Sequence, residues 1–136
     1  MKVLVDTSVW SLALRRKRQP TNDAITAALG SIVEDGRVAI IGAIRQELLS
    51  GVKEQAQFER LRDHLRAFPD TAIATDDHEE AAVFFNRCRE KGVQGSNTDF
   101  LICAVAVRNG FAIFTTDDDF TRFARILPIA LHAHSG

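Results

Sequence analysis

Several features are missing from this sequence, and each absence narrows the class of protein. There is no tyrosine, and there are only one tryptophan and two cysteines among 136 residues. Two cysteines exclude a disulfide framework, and both Cys88 and Cys103 lie in predicted helices, where a buried thiol is the common state. No apolar run reaches the roughly 18 residues of a membrane span, and the short apolar start lacks the long core of a signal peptide. We therefore expect a soluble, cytoplasmic protein.

An excess of charge of either sign is missing as well. The net charge is −1, which argues against a nucleic-acid binder that works through one large basic face. The hydrophobic fraction of 46% and the charged fraction of 26% are typical of globular proteins, and no repeat with a fixed period occurs. We therefore expect one domain over residues 1–136.

The first ten residues, MKVLVDTSVW, combine a strand with polar residues at its end. Residues 3–5 form a short apolar run typical of a buried strand, and Asp6, Thr7 and Ser8 follow it directly. Helical spacing returns over residues 9–14, so these three polar residues could simply cap that helix. An acid after a strand occurs again in the chain, however, and this repetition favours a functional role.

Three further stretches carry acids. Glu47 lies in the helical segment AIRQELLS, which follows a predicted strand at 37–41. Asp99 precedes a very apolar helix at 100–107, and an acidic triplet beginning at Asp117 follows a strand at 111–114. A lone helical glutamate is usually on the surface, and an aspartate at a helix N-terminus is usually a cap. Each acid taken alone therefore has an ordinary structural explanation.

The order of the predicted strands and helices indicates where these acids lie in the fold. Strands alternate with helices, which predicts an α/β domain with a central, mainly parallel β-sheet flanked by α-helices. Ligands bind beyond the carboxyl ends of the strands in such sheets. Asp6 and Asp117 directly follow strands, Glu47 follows one closely, and Asp99 begins the helix that leads into another. We therefore predict that the acids meet at one edge of the sheet.

The rest of the chain predicts mainly helices. They are expected from Thr21 or Asn22 to about Val33, from Lys53 to Phe68, and from a cap at Asp76 or Asp77 to Lys91. Residues 71–74 could form an edge strand.

A basic run lies between the first two predicted helices and consists of Arg15, Arg16, Lys17 and Arg18. Such a run is usually a solvated loop, and the alternative is an edge that contacts phosphate beside Asp6. Setting aside the charges of five acids changes the net charge from −1 to +4; the five are Asp6, Glu47, Asp99, Asp117 and Asp119. Divalent cations bound among the acids would therefore create a site that accepts phosphates.

The candidate acids come without a histidine or thiol in their motifs, since the four histidines lie elsewhere in the sequence. Ligand sets made only of oxygen suit hard cations, Mg²⁺ or Mn²⁺. Without a histidine base nearby, the expected route to hydrolysis is a water activated by one or two metal ions. Carboxylates this close would otherwise repel one another strongly.

Four short motifs occur in an order that resembles a known family. VDTSVW, RQELLSG, TDFLICAVA and TTDDDF are similar, over nearly the full length, to the acidic pattern of PIN-domain ribonucleases, and most closely to the VapC-type toxins of bacterial toxin–antitoxin pairs. The resemblance implies a PIN-like fold and the metal-binding acids Asp6, Glu47, Asp99 and Asp117, with Asp119 as a frequent fifth. Matching hydroxyl positions around the metal and its carboxylates are Thr7, Ser8 and Thr115. Asp118 falls at a variable position.

The resemblance also implies a function and partners. It implies cleavage of structured RNA, control by a small antitoxin that places an Arg or Lys among the acids, and commonly a homodimer that can enter a larger toxin–antitoxin assembly. Recognition of single-stranded RNA depends on base stacking, and the only tryptophan, Trp10, is next to the predicted site.

The sequence is compatible with two other classes of protein. A phosphatase or receiver-type domain also has acids at strand ends, but the segment after Asp6 lacks a second acid two residues on. A catalytically idle PIN fold that serves as a protein- or RNA-binding module is harder to separate from an enzyme. Its mark would be the loss of an acid, and no acid is lost here.

Overall fold

The computed structural model describes residues 1–14 and 20–133, with side chains from residue 23 onward in the second range. Within these ranges the chain forms a four-stranded sheet, made of β1 (Val3–Val5), β2 (Val38–Ala39), β3 (Ala112–Phe114) and β4 (Ala130–Leu131). The strand order is β2-β1-β3-β4, and the pairings are parallel. The predicted α/β class with a central parallel sheet is confirmed.

Helices connect and cover the strands. They are α1 (Thr7–Ala13), α2 (Pro20–Glu34), α3 (Gly42–Leu49), α4 (Gln55–Leu65), α5 (Thr75–Glu90), α6 (Asn97–Asn109) and α7 (Asp119–Ala124). The start of α2 at Pro20 lies slightly before the predicted one, in keeping with the preference for proline at the first helical position. In the part of the chain that the structure describes, no helix is both long and apolar enough to cross a membrane.

β1 is one of the two central strands. Its three residues are fully buried, and Val3 pairs with Val38 on one side and Ala112 on the other. Burial on both faces explains why β1 is a continuous apolar run instead of an alternating one. The backbone N–H of Asp6 donates to the carbonyl of Phe114 at 2.9 Å. Asp6 therefore lies at the edge where β1 and β3 both end.

β1 has the predicted bounds, whereas β2 and β3 are shorter than the sequence predicts. β2 covers two of the five residues expected at 37–41. The edge strand predicted at 71–74 is wrong, because only Asp70 pairs with the sheet, in an isolated parallel bridge to Ile40. Residues 71–74 run without strand pairing into α5, which begins at Thr75. β4 was not predicted, and its exposed residues carry no buried-strand pattern.

Arg45 determines where α4 ends. The predicted helix reaches Phe68, but α4 ends at Leu65. The Arg45 guanidinium donates to the carbonyls of Leu65 and Phe68 and forms a salt bridge with Asp70 at 2.9 Å. These carbonyls are satisfied from outside the helix, so the chain can leave it early. The same contacts fix this loop against α3, the helix that carries Glu47.

The start of α5 also differs from the prediction. Neither Asp76 nor Asp77 is the N-cap, which is Ala74. Asp77 is instead buried, and its Oδ2 accepts a hydrogen bond from the backbone N–H of Ala74 at 2.8 Å. Arg108 donates to both carboxylate oxygens of Asp77, at 2.6 and 2.8 Å. This bidentate pair joins the start of α5 to the end of α6.

Replacing Arg108 with glutamine should lower the free energy of unfolding at pH 7, because the buried carboxylate of Asp77 loses its guanidinium partner. The loss should be smaller than for a fully buried ion pair, since the Arg108 side chain is 43% exposed and solvent screens its charge. Hydrogen bonding to Arg108 lowers the pKa of Asp77. The stabilisation is therefore present above the ordinary carboxyl pKa of about 4 and is lost as the pH falls through the lowered pKa.

Urea unfolding of the wild type and Arg108→Gln at pH 7 and pH 3 measures this effect. The difference between the two proteins should shrink at pH 3, and an equal difference at both pH values would contradict the assignment. Arg125→Gln is the matched control. Arg125 is exposed and has no ion pair among the described residues, so its replacement should change stability by less than about 0.5 kcal/mol.

The cysteine prediction is confirmed. Cys88 and Cys103 are both buried free thiols in the core. Burial raises the pKa of both thiols, which keeps them protonated and unreactive at neutral pH.

Candidate active site at the carboxyl edge of the sheet

Asp6 is the most buried of the five candidate acids, with 8% of its surface exposed. Its Oδ1 accepts a hydrogen bond from the backbone N–H of Thr7 at 2.8 Å. Its Oδ2 accepts from the hydroxyls of Thr115 at 2.8 Å and Ser8 at 3.3 Å. Burial raises the pKa of Asp6, the hydrogen bonds oppose this, and the charge of Asp99 raises the pKa further. Contacts to both oxygens hold this carboxylate in one orientation.

Two hydroxyl groups connect the ends of β1 and β3. The hydroxyl oxygen of Thr115, besides donating to Asp6, accepts from the backbone N–H of Asp117 at 3.0 Å. The hydroxyl oxygen of Ser8 likewise donates to Asp6 and accepts from the N–H of Thr116 at 3.1 Å. The loop after β3 is therefore fixed relative to the buried carboxylate. A role for these hydroxyls around a metal ion stays a prediction.

Glu47 lies on α3 and reaches the same edge. Its residue as a whole is exposed, while its neighbour Leu48 is buried against the core. Glu47 Oε2 accepts a hydrogen bond from the Thr7 hydroxyl at 3.4 Å. Partial burial raises the pKa of Glu47, and the negative charges of Asp6 and Asp99 raise it further. Its carboxylate is therefore directed to the other acids and does not face only solvent.

Asp99 is the third residue of α6, whereas the sequence predicts it at the start of the helix. The N-cap is Ser96, whose hydroxyl accepts from the Asp99 N–H, while Asp99 Oδ2 accepts from the Ser96 N–H, both at 3.1 Å. This reciprocal pair is a capping box. Burial raises the pKa of Asp99, the hydrogen bonds to Ser96 oppose this, and the charges of Asp117 and Asp119 raise it further. Asp99 is thus both a helix cap and a member of the acid cluster.

Gly95 determines how the chain enters α6. A Cβ atom at this position would lie 2.5 Å from the ring of Phe123 and about 3.0 Å from that of Phe100, and both rings are buried. Only glycine permits this close approach of backbone to the core. The tight packing places Ser96, and with it Asp99, against the edge of the sheet.

Asp117 and Asp119 occupy the start of α7. Asp117 Oδ1 accepts a hydrogen bond from the backbone N–H of Asp119 at 2.9 Å. Asp119 in turn forms an ion pair with Arg122, three residues further along the same helix. Asp118 is exposed and makes no side-chain capping bond. Asp118 therefore differs from its two neighbours, as the sequence comparison with the PIN pattern implies.

The structure brings the five acids to one edge from different elements, and their effects on pKa indicate that their charges act on one another. The oxygen-only donor set fits a hard divalent cation. Over residues 1–14 and 20–133, however, no three His, Cys, Asp or Glu side chains are arranged to hold a metal ion as they stand. Asp119 is paired with Arg122, and one carboxylate oxygen of Asp99 accepts a hydrogen bond from the backbone N–H of its cap, Ser96.

Several site residues differ from what the sequence suggests. Trp10 is buried, donates its indole N–H to the Val5 carbonyl at 3.2 Å and packs against Phe68, so it is a core residue. Ser96 and Arg122 were not predicted as parts of the site. The spacing S-x-x-D could have identified the capping box of Ser96. The basic run at 15–18 lies outside the described residues.

This chain is similar to known proteins both in sequence and in structure. A model of the PIN domain family matches residues 3–126. Among curated relatives, Ribonuclease VapC11 from Mycobacterium tuberculosis (strain ATCC 25618 / H37Rv) is 31% identical over 129 residues, which cover 91% of this chain and 92% of the relative.

Two solved structures have a similar fold. The FitAcB structure from Neisseria gonorrhoeae matches with a TM-score of 0.76 and 20% identity, covering 96% of both chains. The structure of VapBC2 from Rickettsia felis, bound to a DNA fragment from their promoter, matches with a TM-score of 0.78 and 19% identity, covering 97% of this chain and 98% of the other. At these identities the likeness establishes the fold.

Proposed function

This chain belongs to the PIN-domain family, and we propose that it is a metal-dependent endoribonuclease that acts as the toxin of a toxin–antitoxin pair. The observation that carries the proposal is the set of mutually repelling carboxylates at the carboxyl edge of the sheet. The name of the 31% identical Mycobacterium tuberculosis relative, a ribonuclease, supports the reaction class. We place its action in the cytoplasm, where cellular RNA is the substrate.

The proposed metal ligands are Asp6, Glu47, Asp99 and Asp117, with Asp119 as a fifth. One or two Mg²⁺ or Mn²⁺ ions bound there would supply an activated water and neutralise charge on the phosphodiester group. The chain's own contribution is orientation. Thr115 and Ser8 hold the carboxylate of Asp6, the Thr7 hydroxyl holds that of Glu47, and Ser96 holds that of Asp99. Preorganised ligands of this kind lose little freedom when they bind.

An assay with purified protein and structured RNA tests the proposal. We expect internal cleavage in Mg²⁺ or Mn²⁺, loss of cleavage in excess EDTA, and its return when the metal is restored. Sequencing of the new RNA ends would identify the cleaved sites. Equal cleavage in EDTA would refute metal dependence. Retained RNA binding without cleavage in any metal would support the idle binding module instead.

The proposed antitoxin is a small protein whose segment lies beside the acids and places an Arg or Lys among them. A cation there would offset the repulsion between the carboxylates and compete with the metal. Expression of this chain alone is expected to arrest growth, and co-expression with the adjacent reading frame should relieve the arrest. The control is an unrelated small protein expressed from the same vector. Absence of relief would contradict the proposed partner.

We also propose a homodimer that can enter a larger assembly with the antitoxin. Light scattering should then give twice the 15.1 kDa mass of one chain. A monomer at high micromolar concentration would contradict this proposal.

We propose that the run from Arg15 to Arg18 is an edge that contacts RNA. Replacing all four residues with glutamine should weaken RNA binding and make the remaining binding less dependent on salt.

A further inference from the structure

A cavity of about 410 Å³ lies between α5 and α6, at the N-terminal turn of α6 that also carries Asp99. Its apolar lining includes Ala81, Phe85 and Leu101, and its polar lining includes Asn86, Asn97 and Thr98. The volume is in the usual range of small-ligand sites. None of the functional roles assigned above uses this cavity.

The cavity borders the surroundings of the acids. Thr98 lines it and also lines a neighbouring groove of about 430 Å³. That groove is bordered by Thr7 and Glu47, which belong to the acid edge. Asn97 and Thr98 directly precede Asp99 in the first turn of α6. A chain lying across the acids can therefore pass over Thr98 and place its next group in the cavity.

The lining suits an uncharged, flat group with hydrogen-bonding edges. It contains no carboxylate, and its one titratable side chain is His78. Among the described residues, the carboxamides of Asn86 and Asn97 have no hydrogen-bond partner, so their donors and acceptors are available. Carboxamides match the edges of unpaired bases, and aromatic side chains such as Phe85 stack on base faces. A phosphate would instead favour Lys or Arg, and the lining contains neither.

Arg89, a cation, lies beyond Phe85 from the first cavity. Phe85 borders a second, smaller cavity of about 160 Å³, which is also lined by Arg89 and Gln94. Arg89 is exposed and forms no ion pair within the described residues. The order along the surface is therefore acids, neutral cavity and arginine. This order matches a strand whose cleaved phosphate lies at the acids, followed by a base and then another phosphate.

We propose that the α5–α6 cavity is a base-recognition subsite. It receives an unpaired base of the substrate RNA next to the cleaved bond, with Asn86 and Asn97 bonding the base edge and Phe85 contacting its face. This inference rests on the proposed ribonuclease function and adds the residues that select the sequence. Trp10, buried in the core, cannot take this stacking role.

The test uses two substitutions in the cavity and one matched control. Ala82 lines the cavity, so Ala82→Phe should fill it, and Asn86→Ala should remove one hydrogen-bonding edge. Val83, the next residue on α5, is 46% exposed and does not line the cavity, so Val83→Phe adds a similar side chain elsewhere. The substrates are short RNA loops that carry A, C, G or U at each position around the cleavage site.

We expect the wild type and Val83→Phe to prefer one base at a position flanking the cleaved bond. Ala82→Phe and Asn86→Ala should lower kcat/KM for the preferred base by about tenfold, the scale of a base-edge contact, and flatten the preference. Cleavage with unchanged base preference in both cavity variants would overturn the subsite. Light scattering of the same proteins is the second readout. A change of oligomeric mass in Ala82→Phe, with base preference intact, would assign this face to a protein contact and also overturn it.

Fluorescence anisotropy with the same labelled RNAs separates this inference from the proposed function. Binding requires no turnover. If the wild type binds RNA in a base-dependent way but does not cleave it, and Ala82→Phe loses this base dependence, the ribonuclease is rejected and the subsite is kept. If the wild type cleaves RNA, but neither its binding nor its cleavage depends on the base, the ribonuclease is kept and the subsite is rejected.

Discussion

Asp99→Asn is expected to reduce RNA cleavage on the order of 10³-fold, comparable to removing a key electrostatic group from an active site. Asparagine has nearly the same shape and keeps an oxygen that can accept the hydrogen bond from the Ser96 N–H, so the capping box of α6 should persist. The amide binds a hard cation far less well than a carboxylate. The chemistry should therefore fail while the fold remains.

Asp118→Asn is the matched control for this loss. It makes the same chemical change between two proposed ligands, at an exposed position without a capping bond. Its cleavage rate should stay within about twofold of the wild type. Circular dichroism and thermal melting of both variants establish that each is folded. Full activity of Asp99→Asn would remove Asp99 from the site, and equal losses in both variants would indicate a general effect of acidic charge on RNA binding.

The sequence predicts the part of the site that depends on strand ends. Val3 to Val5 is apolar because β1 is buried on both faces, and this strong local signal places Asp6 at the carboxyl edge. The run before Asp117 gives the same signal for β3. Parallel pairing of these two strands then follows from the α/β alternation. Acids that follow two neighbouring parallel strands lie at the same edge of the sheet, so the proximity of Asp6 and Asp117 can be predicted from the sequence.

The parts that the sequence does not predict depend on contacts between distant residues. Asp77 looks like a helix cap, but Arg108, 31 positions away, holds it in a buried ion pair. Trp10 lies beside Asp6 in sequence, yet its side chain points into the core because its indole N–H finds the Val5 carbonyl. β4 has exposed residues and no apolar pattern. Local propensity is overridden at these positions by tertiary partners.

The second large effect expected is a change in stability that depends on metal. In EDTA, Asp99→Asn should melt higher than the wild type by roughly 4 °C, or about 1 kcal/mol in a domain of this size, a modest gain because solvent screens the charge of this half-buried group. The reason is that burial and the charges of Asp117 and Asp119 raise the pKa of Asp99, so its ionisation destabilises the folded state. Asp6→Asn should gain less, because its new N–H₂ would face the hydroxyls of Thr115 and Ser8, which now donate to the carboxylate.

The effect of pH in EDTA follows from the direction of the shifts. Asp6, Glu47 and Asp99 all have raised pKa values, so the folded protein binds protons more tightly than the unfolded chain. The penalty is absent below the ordinary carboxyl pKa of about 4 and grows as the pH rises through the raised values. The advantage of Asp99→Asn should therefore be largest at neutral pH and shrink toward pH 4.

Metal should reverse the ranking of the two proteins. Mg²⁺ or Mn²⁺ at about 100 times its dissociation constant should stabilise the wild type by about 2.7 kcal/mol, while Asp99→Asn, with a weaker site, should gain much less. Differential scanning fluorimetry over a metal titration measures both changes, with Asp118→Asn expected to follow the wild type. A shared metal site requires repulsion between the acids without the ion and selective stabilisation with it. If Asp99→Asn melts below the wild type in EDTA, and metal shifts the melting temperatures of all three proteins equally, the acids act only as caps and ion-pair partners.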